Sequence, residues 1–232
     1  MLIKSIGSSS EGNCFMINDD LVIDIGFPYK YVKSQFKEDL AYAMFQGFKY
    51  LLLTHIHKDH FNETTIRKLY ISNQNLTIVC GEWIYHILLS YGFDESRIIV
   101  VEFGKVYQLG EYKISPIKAY HDVDNCGYRI MKDGHKHLHI TDTATLDGID
   151  AFDYDTATIE CNHDEQKALE LIAQAKENGE FTHLKGAMNS HLSVQQTIQF
   201  CERNRIKQLY PAHIGSTTKK EVIQALREWI NR

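Results

Sequence analysis

Short apolar runs bounded by turn residues recur along this chain, and their spacing sets the first expectation of its fold. In the first half, "MLIKSI", "CFMIN", "LVIDI", "YLLLT", "LTIVC" and "RIIVVE" read as strands. Between some of them, "PYKYVKSQF", "ETTIRKLY" and "EWIYHILLSYG" carry apolar residues at helical spacing. The second half repeats the theme. "EYKISPIKAY", "CGYRIM", "HLHIT" and "TATIE" look like strands, while "DEQKALELIAQAKENG", "VQQTIQFCERN" and "KKEVIQALREWINR" look like helices. The first of these helices has an acidic start and a closing Gly179. Consecutive strands followed by alternating strands and helices, twice over, predict an α/β protein with two sheets packed face to face and helices outside.

Composition narrows this picture. A length of 232 residues with 44% hydrophobic content suits one large domain, 1–232, with a substantial core. No repeat, low-complexity tract or Gly/Ser linker marks a boundary. No apolar stretch is long enough for a membrane span, so no membrane partner is expected. The opening "MLIKSIGSSS" has a lysine inside its apolar run and does not read as a signal peptide. Five cysteines (Cys14, Cys80, Cys126, Cys161, Cys201) are scattered and form no CxxC pair, which favours a reducing cytoplasm over a disulfide framework. The net charge of −5 provides no global positive field, so a polyanionic substrate would need a local basic patch or metal ions.

The chemistry concentrates in "LLLTHIHKDHFN", residues 51–62, where three histidines and an aspartate occupy six positions directly after a run of leucines. The apolar run reaches Thr54 and turns polar, which puts His55 to His60 in a loop at the C-terminal edge of a strand. Asn62 is placed to cap a following helix in which Ile66, Leu69 and Tyr70 share one face. Imidazole and carboxylate suit zinc, manganese or iron. His55 and His57, two apart in an extended loop, point the same way, whereas Asp59 and His60 require the chain to coil toward a neighbouring position. One ion cannot easily take all four from so tight a loop, so a two-metal site is the natural reading.

Thr54-His55-Ile56-His57-Lys58-Asp59-His60 resembles the signature of the metallo-β-lactamase-fold hydrolases. The family's other motifs are met in order by Asp24 in "LVIDIG", His121 in "AYHDVDNCGYRI", Asp142 in "HITDTAT" and His213 in "LYPAHIG". The resemblance implies an αββα sandwich of two mixed sheets and two divalent ions, Zn²⁺ or Mn²⁺ with iron also suitable. It assigns His55, His57 and His121 to one ion, Asp59, His60 and His213 to the other, and Asp142 as the bridge. Asp59 also counts among the catalytic groups. Asp24 reads as loop support. Such a pair acidifies a bridging water near neutral pH.

"GSSSEGNCF", "HDVDNCGYRI", "ITDTA", "ECNHD" and "SHLS" resemble, in order, motifs of the single-domain YycJ (WalJ)-type enzymes, described as DNA exonucleases. They also resemble RNase Z, where a glutamate pairs with a histidine that precedes Ser/Thr. By that match His191 is the general acid or phosphate contact and Glu160 orients it; His163 either touches substrate or caps the helix, and Ser193 is placed with it among the substrate-binding groups. The remaining histidines read as structural, with His135, His137 and His139 on the wet face of a strand and His86 and His183 without partners in sequence.

Departures limit the match. Twenty residues separate His121 from Asp142, too few for the RNase Z arm, and no domain is inserted between Asp142 and His213 as in RNase J. The second metal group has Asp59 and His60 rather than a cysteine, which argues against antibiotic hydrolysis. Thr143-Ala144-Thr145 replaces the glycine-bearing turn expected after the bridging aspartate. The leading expectation is a two-metal phosphodiesterase acting on nucleic acid, in which metal-bound hydroxide attacks the phosphodiester in line. The alternatives are a metallo-hydrolase of a small substrate (cyclic nucleotide, lactone or thioester) and an inactive metal-binding interaction module.

Overall fold

The computed structural model describes residues 1–231, and within them the side chains of all but residues 38–42. Contacts divide the chain into two compact units, Met1–Pro116 and Ile117–Arg232.

The first sheet runs in sequence order through β1 (Ile3–Ser9), β2 (Gly12–Ile17), β3 (Leu21–Ile23), β4 (Tyr50–Leu52), β5 (Thr77–Cys80) and β6 (Ile98–Val100). β1, β2 and β3 pair antiparallel through tight turns, whereas β3 to β6 pair parallel. Parallel neighbours need crossover connections. Here α1 (Tyr29–Ser34) and α2 (Glu38–Gly47) link β3 to β4, α3 (Glu63–Ser72) links β4 to β5, and α4 (Glu82–Ser90) links β5 to β6. The parallel strands read as unbroken apolar runs because their residues are buried on successive positions: Leu51, Leu52, Ile78 and Val79 are all inaccessible. Ile66 and Leu69 of α3 and Ile84 and Leu88 of α4 join Leu51, Leu53, Ile78 and Cys80 in one core.

The second sheet has the order β12-β11-β10-β9-β8-β7. Its strands are β7 (Tyr107–Leu109), β8 (Tyr112–Tyr120), β9 (Asp124–Lys132), β10 (His135–Ile140), β11 (Thr156–Glu160) and β12 (Gln208–Ala212). β9 and β10 pair antiparallel, while β10, β11 and β12 are parallel. α5 (Glu165–Asn178), α6 (Leu184–Ser190) and α7 (Val194–Asn204) lie between β11 and β12, and α8 (Lys219–Ile230) follows. Leu138, Ile140, Ala157 and Ile159 pack with Phe200 and Cys201 of α7. Both sheets are mixed, as the family resemblance implies. The helices expected at 28–36, 63–70, 82–92, 164–179, 194–204 and 219–232 all form, with Arg232 outside the described residues. The pattern missed α2, β7, α6 and β12; α6 is short and contains Gly186 and Asn189, poor helix formers. All five cysteines are free and buried. Among the described residues no helix is long and apolar enough to cross a membrane.

One expectation is corrected. His137 and His139 do not lie on a wet face; both are inaccessible, and His135 is half-buried. Their alternation with Leu138 and Ile140 mimics an amphipathic strand, but their partners are threonines of the next strand. His137 and His139 register with Thr156 and Thr158. The Thr156 hydroxyl lies 2.9 Å from His137 Nδ1 and 3.1 Å from His135 Nε2. Burial pushes the His137 imidazole well below its ordinary pKa, and the neighbouring His139 and His135 push the same way, so the folded state holds it neutral. The unfolded chain binds a proton there below about pH 6.5. Stability should therefore fall as pH drops through that value, by up to about 1.4 kcal/mol per pH unit for this group. In urea melts, His137→Asn should be less stable at pH 7.5 yet lose less on going to pH 5. An unchanged acid slope would contradict this account.

Candidate active site

In the first unit the histidine loop follows β4 and is held by backbone contacts from β2 and from the stretch just after β3. β4 ends at Leu52, and the chain passes through Leu53 and Thr54 into His55. The amides of His60 and Phe61 both donate to the His57 carbonyl, at 2.9 and 2.7 Å, which is the coil expected between His57 and His60. Asn13 N–H donates to the Asp59 carbonyl and Ile25 N–H to that of His60, at 2.6 and 2.9 Å. Gly26 runs so close that a Cβ there would sit 1.8 Å from the Asp59 carbonyl oxygen, so no other residue fits. Asn62 caps α3 as expected, accepting from the Thr65 amide at 3.0 Å.

Asp24 sets the tautomers of this loop. It is fully buried and has left-handed backbone, φ 55°. Its Oδ1 accepts from the Thr54 amide at 2.9 Å, and its Oδ2 accepts from the Thr54 hydroxyl and His60 Nδ1–H, both at 2.7 Å. With its proton directed at Asp24, the Thr54 hydroxyl accepts from His55 Nδ1–H at 2.9 Å. Each imidazole therefore carries its lone pair on Nε2. At His60 that lone pair receives an N–H of Asn13 at 2.8 Å. A fixed N–H on one nitrogen and a basic second nitrogen is what a metal-binding histidine requires. His55 and His57 offer nitrogens within 4.8 Å of one another, as do Asp59 and His60 their ligand atoms.

In the second unit the groups come from the ends of separate elements. His121 follows β8, Asp142 follows β10, Glu160 ends β11, His191 closes α6 and His213 follows β12. Asp142 and His213 adopt φ 54° and 48°, and with Asp24 they place three non-glycine residues of the predicted set in the left-handed region. Such backbone costs on the order of 1–3 kcal/mol per residue and collects at functional sites. Asp142, Glu160, His191 and His213 each offer a ligand atom within 4.8 Å of the others, and Asp142 stands equally near His121. Asp142 Oδ1 is 3.0 Å from His213 Nδ1. His121 Nδ1 faces the Ser190 carbonyl at 3.3 Å, and its Nε2 lies 3.1 Å from Asp122.

Glu160 is inaccessible and holds His191 through Nδ1, 2.9 Å from Oε2. Burial opposes its ionisation, but hydrogen bonds from His191 and His213 outweigh that and keep the carboxyl below its ordinary pKa. Its other oxygen accepts from the Thr143 amide at 2.6 Å. The Thr143 hydroxyl accepts from the Tyr120 amide at 3.0 Å and donates to the Thr145 carbonyl at 2.9 Å. The departure at Thr143-Ala144-Thr145 is thus a brace for Glu160 and for the end of β8. Asn125 similarly donates to the Asp142 carbonyl at 2.8 Å. Asn13, Asn125 and Thr143 lie inside the quoted motifs, but no supporting role was assigned to them from the sequence. Their work is done by amides and backbone atoms, and only their places beside predicted ligands could have marked them.

The two predicted substrate groups differ. His163 is 2% exposed, its Nδ1 has no hydrogen-bond partner among the described residues, and burial lowers its pKa. Ser193 is the N-cap of α7: its hydroxyl accepts from the Gln196 amide while Gln196 Oε1 accepts from the Ser193 amide. That capping box fixes the start of α7 two residues after His191.

A family model described as a beta-lactamase superfamily domain matches residues 33–214. No curated protein matches in sequence. Among solved structures, the metallo-beta-lactamase fold protein YhfI from Bacillus subtilis is similar with a TM-score of 0.72 at 16% identity, over 96% of this chain and 89% of that one. Zn²⁺-bound PqqB from Methylobacterium extorquens gives 0.73 at 11%, over 99% and 96%. The short form of human tRNase Z gives 0.65 at 15%, over 92% of each. At these identities the likeness shows the fold, which is the metallo-β-lactamase α/β class expected from the sequence.

Proposed function

We propose, on the premise that this chain belongs to the beta-lactamase superfamily, that it is a metal-dependent phosphodiesterase that cleaves nucleic acid, with DNA exonuclease-like action. The observation that carries the reading is the Glu160–His191 pair, a buried carboxylate 2.9 Å from an imidazole beside Asp142 and His213. Hydrolysis of a carboxyl ester or lactone does not demand a separate acid. A phosphodiester expels a strongly basic alkoxide, and a positioned proton donor matters there.

In this proposal His55, His57 and His121 hold one divalent ion, Asp59, His60 and His213 the other, and Asp142 serves both. Zinc, manganese and iron all suit these donors. Bound there, two ions supply Lewis acidity toward the phosphoryl oxygens and an acidified water near neutral pH. The chain's own residues do the rest. Asp24 and Thr54 keep His60 and His55 in the ligating tautomer. His191 delivers its Nε2 proton to the leaving oxygen, and Glu160 holds the imidazole and stabilises its charge. His163 contacts substrate beside His191, and Ser193 sets the start of α7. The fold likeness to an enzyme named for transfer RNA and to a zinc-bound protein supports both halves of the reading. Five free cysteines support a reducing, cytoplasmic setting.

The acidic net charge of −5 favours a second reading, a small phosphodiester or other small substrate at the same groups. Metal analysis together with digestion of end-labelled single- and double-stranded DNA and RNA under Mn²⁺ and Zn²⁺ separates them, with bis-p-nitrophenyl phosphate, a cyclic nucleotide and a lactone alongside. Metal-dependent cleavage of a nucleic acid is expected. Turnover of the lactone or cyclic nucleotide with intact nucleic acids would replace the first reading by the second.

A further inference from the structure

A stacked aromatic pair in the first unit is rooted on the histidine loop and has no part in the chemistry above. The Trp83 indole, in the first turn of α4, donates Nε1–H to the Thr54 carbonyl at 3.2 Å, one residue before His55. The benzo edge of the indole lies against Gly81, where a Cβ would come within 2.2 Å of it, so a glycine is required for this placement. Phe103 stacks on Trp83 with centroids 5.7 Å apart and planes 21° from parallel.

Phe103 is presented by a tight turn. Gly104 has φ 77° and the Lys105 amide donates back to the Glu102 carbonyl at 3.3 Å. The hydroxyl of Tyr107 accepts from the Glu102 amide at 2.9 Å and pins the start of the turn. Phe103 is nevertheless 44% exposed. Trp83 overlaps part of one face in an offset stack, and much of the ring stays open to solvent. A tryptophan-backed phenyl ring held rigidly at the surface is an unusual use of apolar area, because either side chain would gain about 1.5–3 kcal/mol from full burial.

We propose that Phe103, backed by Trp83, is a stacking platform for a nucleobase of the substrate. This inference rests on the phosphodiesterase reading and adds the substrate class to it. A flat, rigid aromatic face attracts another π-face, and base-on-aromatic stacking tolerates any base. The platform is also chemically blind to base identity: the one donor on its rings is taken by Thr54, and Phe103 has none. The neighbouring Lys105 is paired with Glu102 at 2.7 Å, which leaves stacking as the recognition.

The chain has two tryptophans, so Trp229→Phe leaves Trp83 as the sole indole reporter. In that metal-loaded protein, dAMP and dCMP should quench Trp83 fluorescence saturably, while deoxyribose 5-phosphate should not. Adding Phe103→Ala should weaken nucleotide binding roughly 5- to 100-fold, Phe103→Tyr should retain it, and the two nucleotides should differ by less than that loss. Quenching by the sugar phosphate alone, or nucleotide binding indifferent to Phe103→Ala, overturns the platform. So does a dimer by sedimentation that Phe103→Ala dissociates, since the pair would then be a subunit contact. Parallel cleavage assays on the same protein keep the two claims apart. Phosphodiester cleavage without nucleotide quenching removes the platform alone, and nucleotide quenching without any phosphodiester cleavage removes the enzymatic reading alone.

Discussion

Asp142→Ala should abolish hydrolysis and strip the protein of metal, with activity down about 10³-fold or more. Among the described residues, Asp142 is the one whose carboxylate lies within 4.8 Å of ligand atoms of His121, of His213 and of the Glu160–His191 pair. Its side chain is buried, its backbone is left-handed at φ 54°, and Asn125 grips its carbonyl at 2.8 Å. In the proposed site this carboxylate would serve both ions, and a Lewis acid is worth several kcal/mol, with each 1.36 kcal/mol a factor of ten. The proposed stoichiometry makes the test sharp: elemental analysis should fall from two ions per chain toward none, rather than to one. Relief of left-handed strain by Asp142→Asn or Asp142→Gly offers a control, because either should fold at least as well yet lose metal. Retention of two ions by Asp142→Ala would remove it from the bridging role.

How much of this was legible in the sequence depended on the kind of group involved. The loop from His55 to His60 announced itself because metal binding demands particular residue types within a few positions. Asp24, Asp142 and His213 were legible only through their order along the chain, yet the structure places each at a strand's end with left-handed backbone. The parallel strands β4 and β5 were plain because burial at every position leaves an unbroken apolar run. His137 and His139 misled for the complementary reason, since threonine partners on β11 make a buried face look polar. Thr143 and Asn125 stand inside quoted motifs, yet their bracing role was unreadable, because a backbone amide or a neutral side chain carries no signal until its acceptor is known. The pairing of Trp83 with Phe103 joins α4 to a turn beyond β6, a non-local contact that no period in the chain encodes.

His191→Ala should keep both metals and cut nucleic-acid cleavage about 10²- to 10⁴-fold, the usual worth of a positioned acid. The leaving group decides how large the loss is. An alkoxide departs only with a proton, whereas a nitrophenolate leaves as a stable anion, so hydrolysis of bis-p-nitrophenyl phosphate should fall far less. Glu160→Gln probes the same step from behind. Oε1 accepts from the Thr143 amide and Oε2 faces His191 Nδ1, so both oxygens of Glu160 are acceptors. An amide nitrogen in the second position would point a donor at Nδ1, which disfavours the doubly protonated imidazolium and leaves a neutral Nε2–H, a far weaker acid toward the leaving oxygen. The expected loss is about 10- to 100-fold on nucleic acid, again with the aryl ester spared. A ligand role for His191 predicts otherwise, because it shares a 4.8 Å group with Asp142, Glu160 and His213. In that case metal content would drop and both substrates would suffer alike. Wild-type cleavage of nucleic acid by His191→Ala would take away the observation on which the nuclease reading rests, and the small-substrate hydrolase would stand in its place.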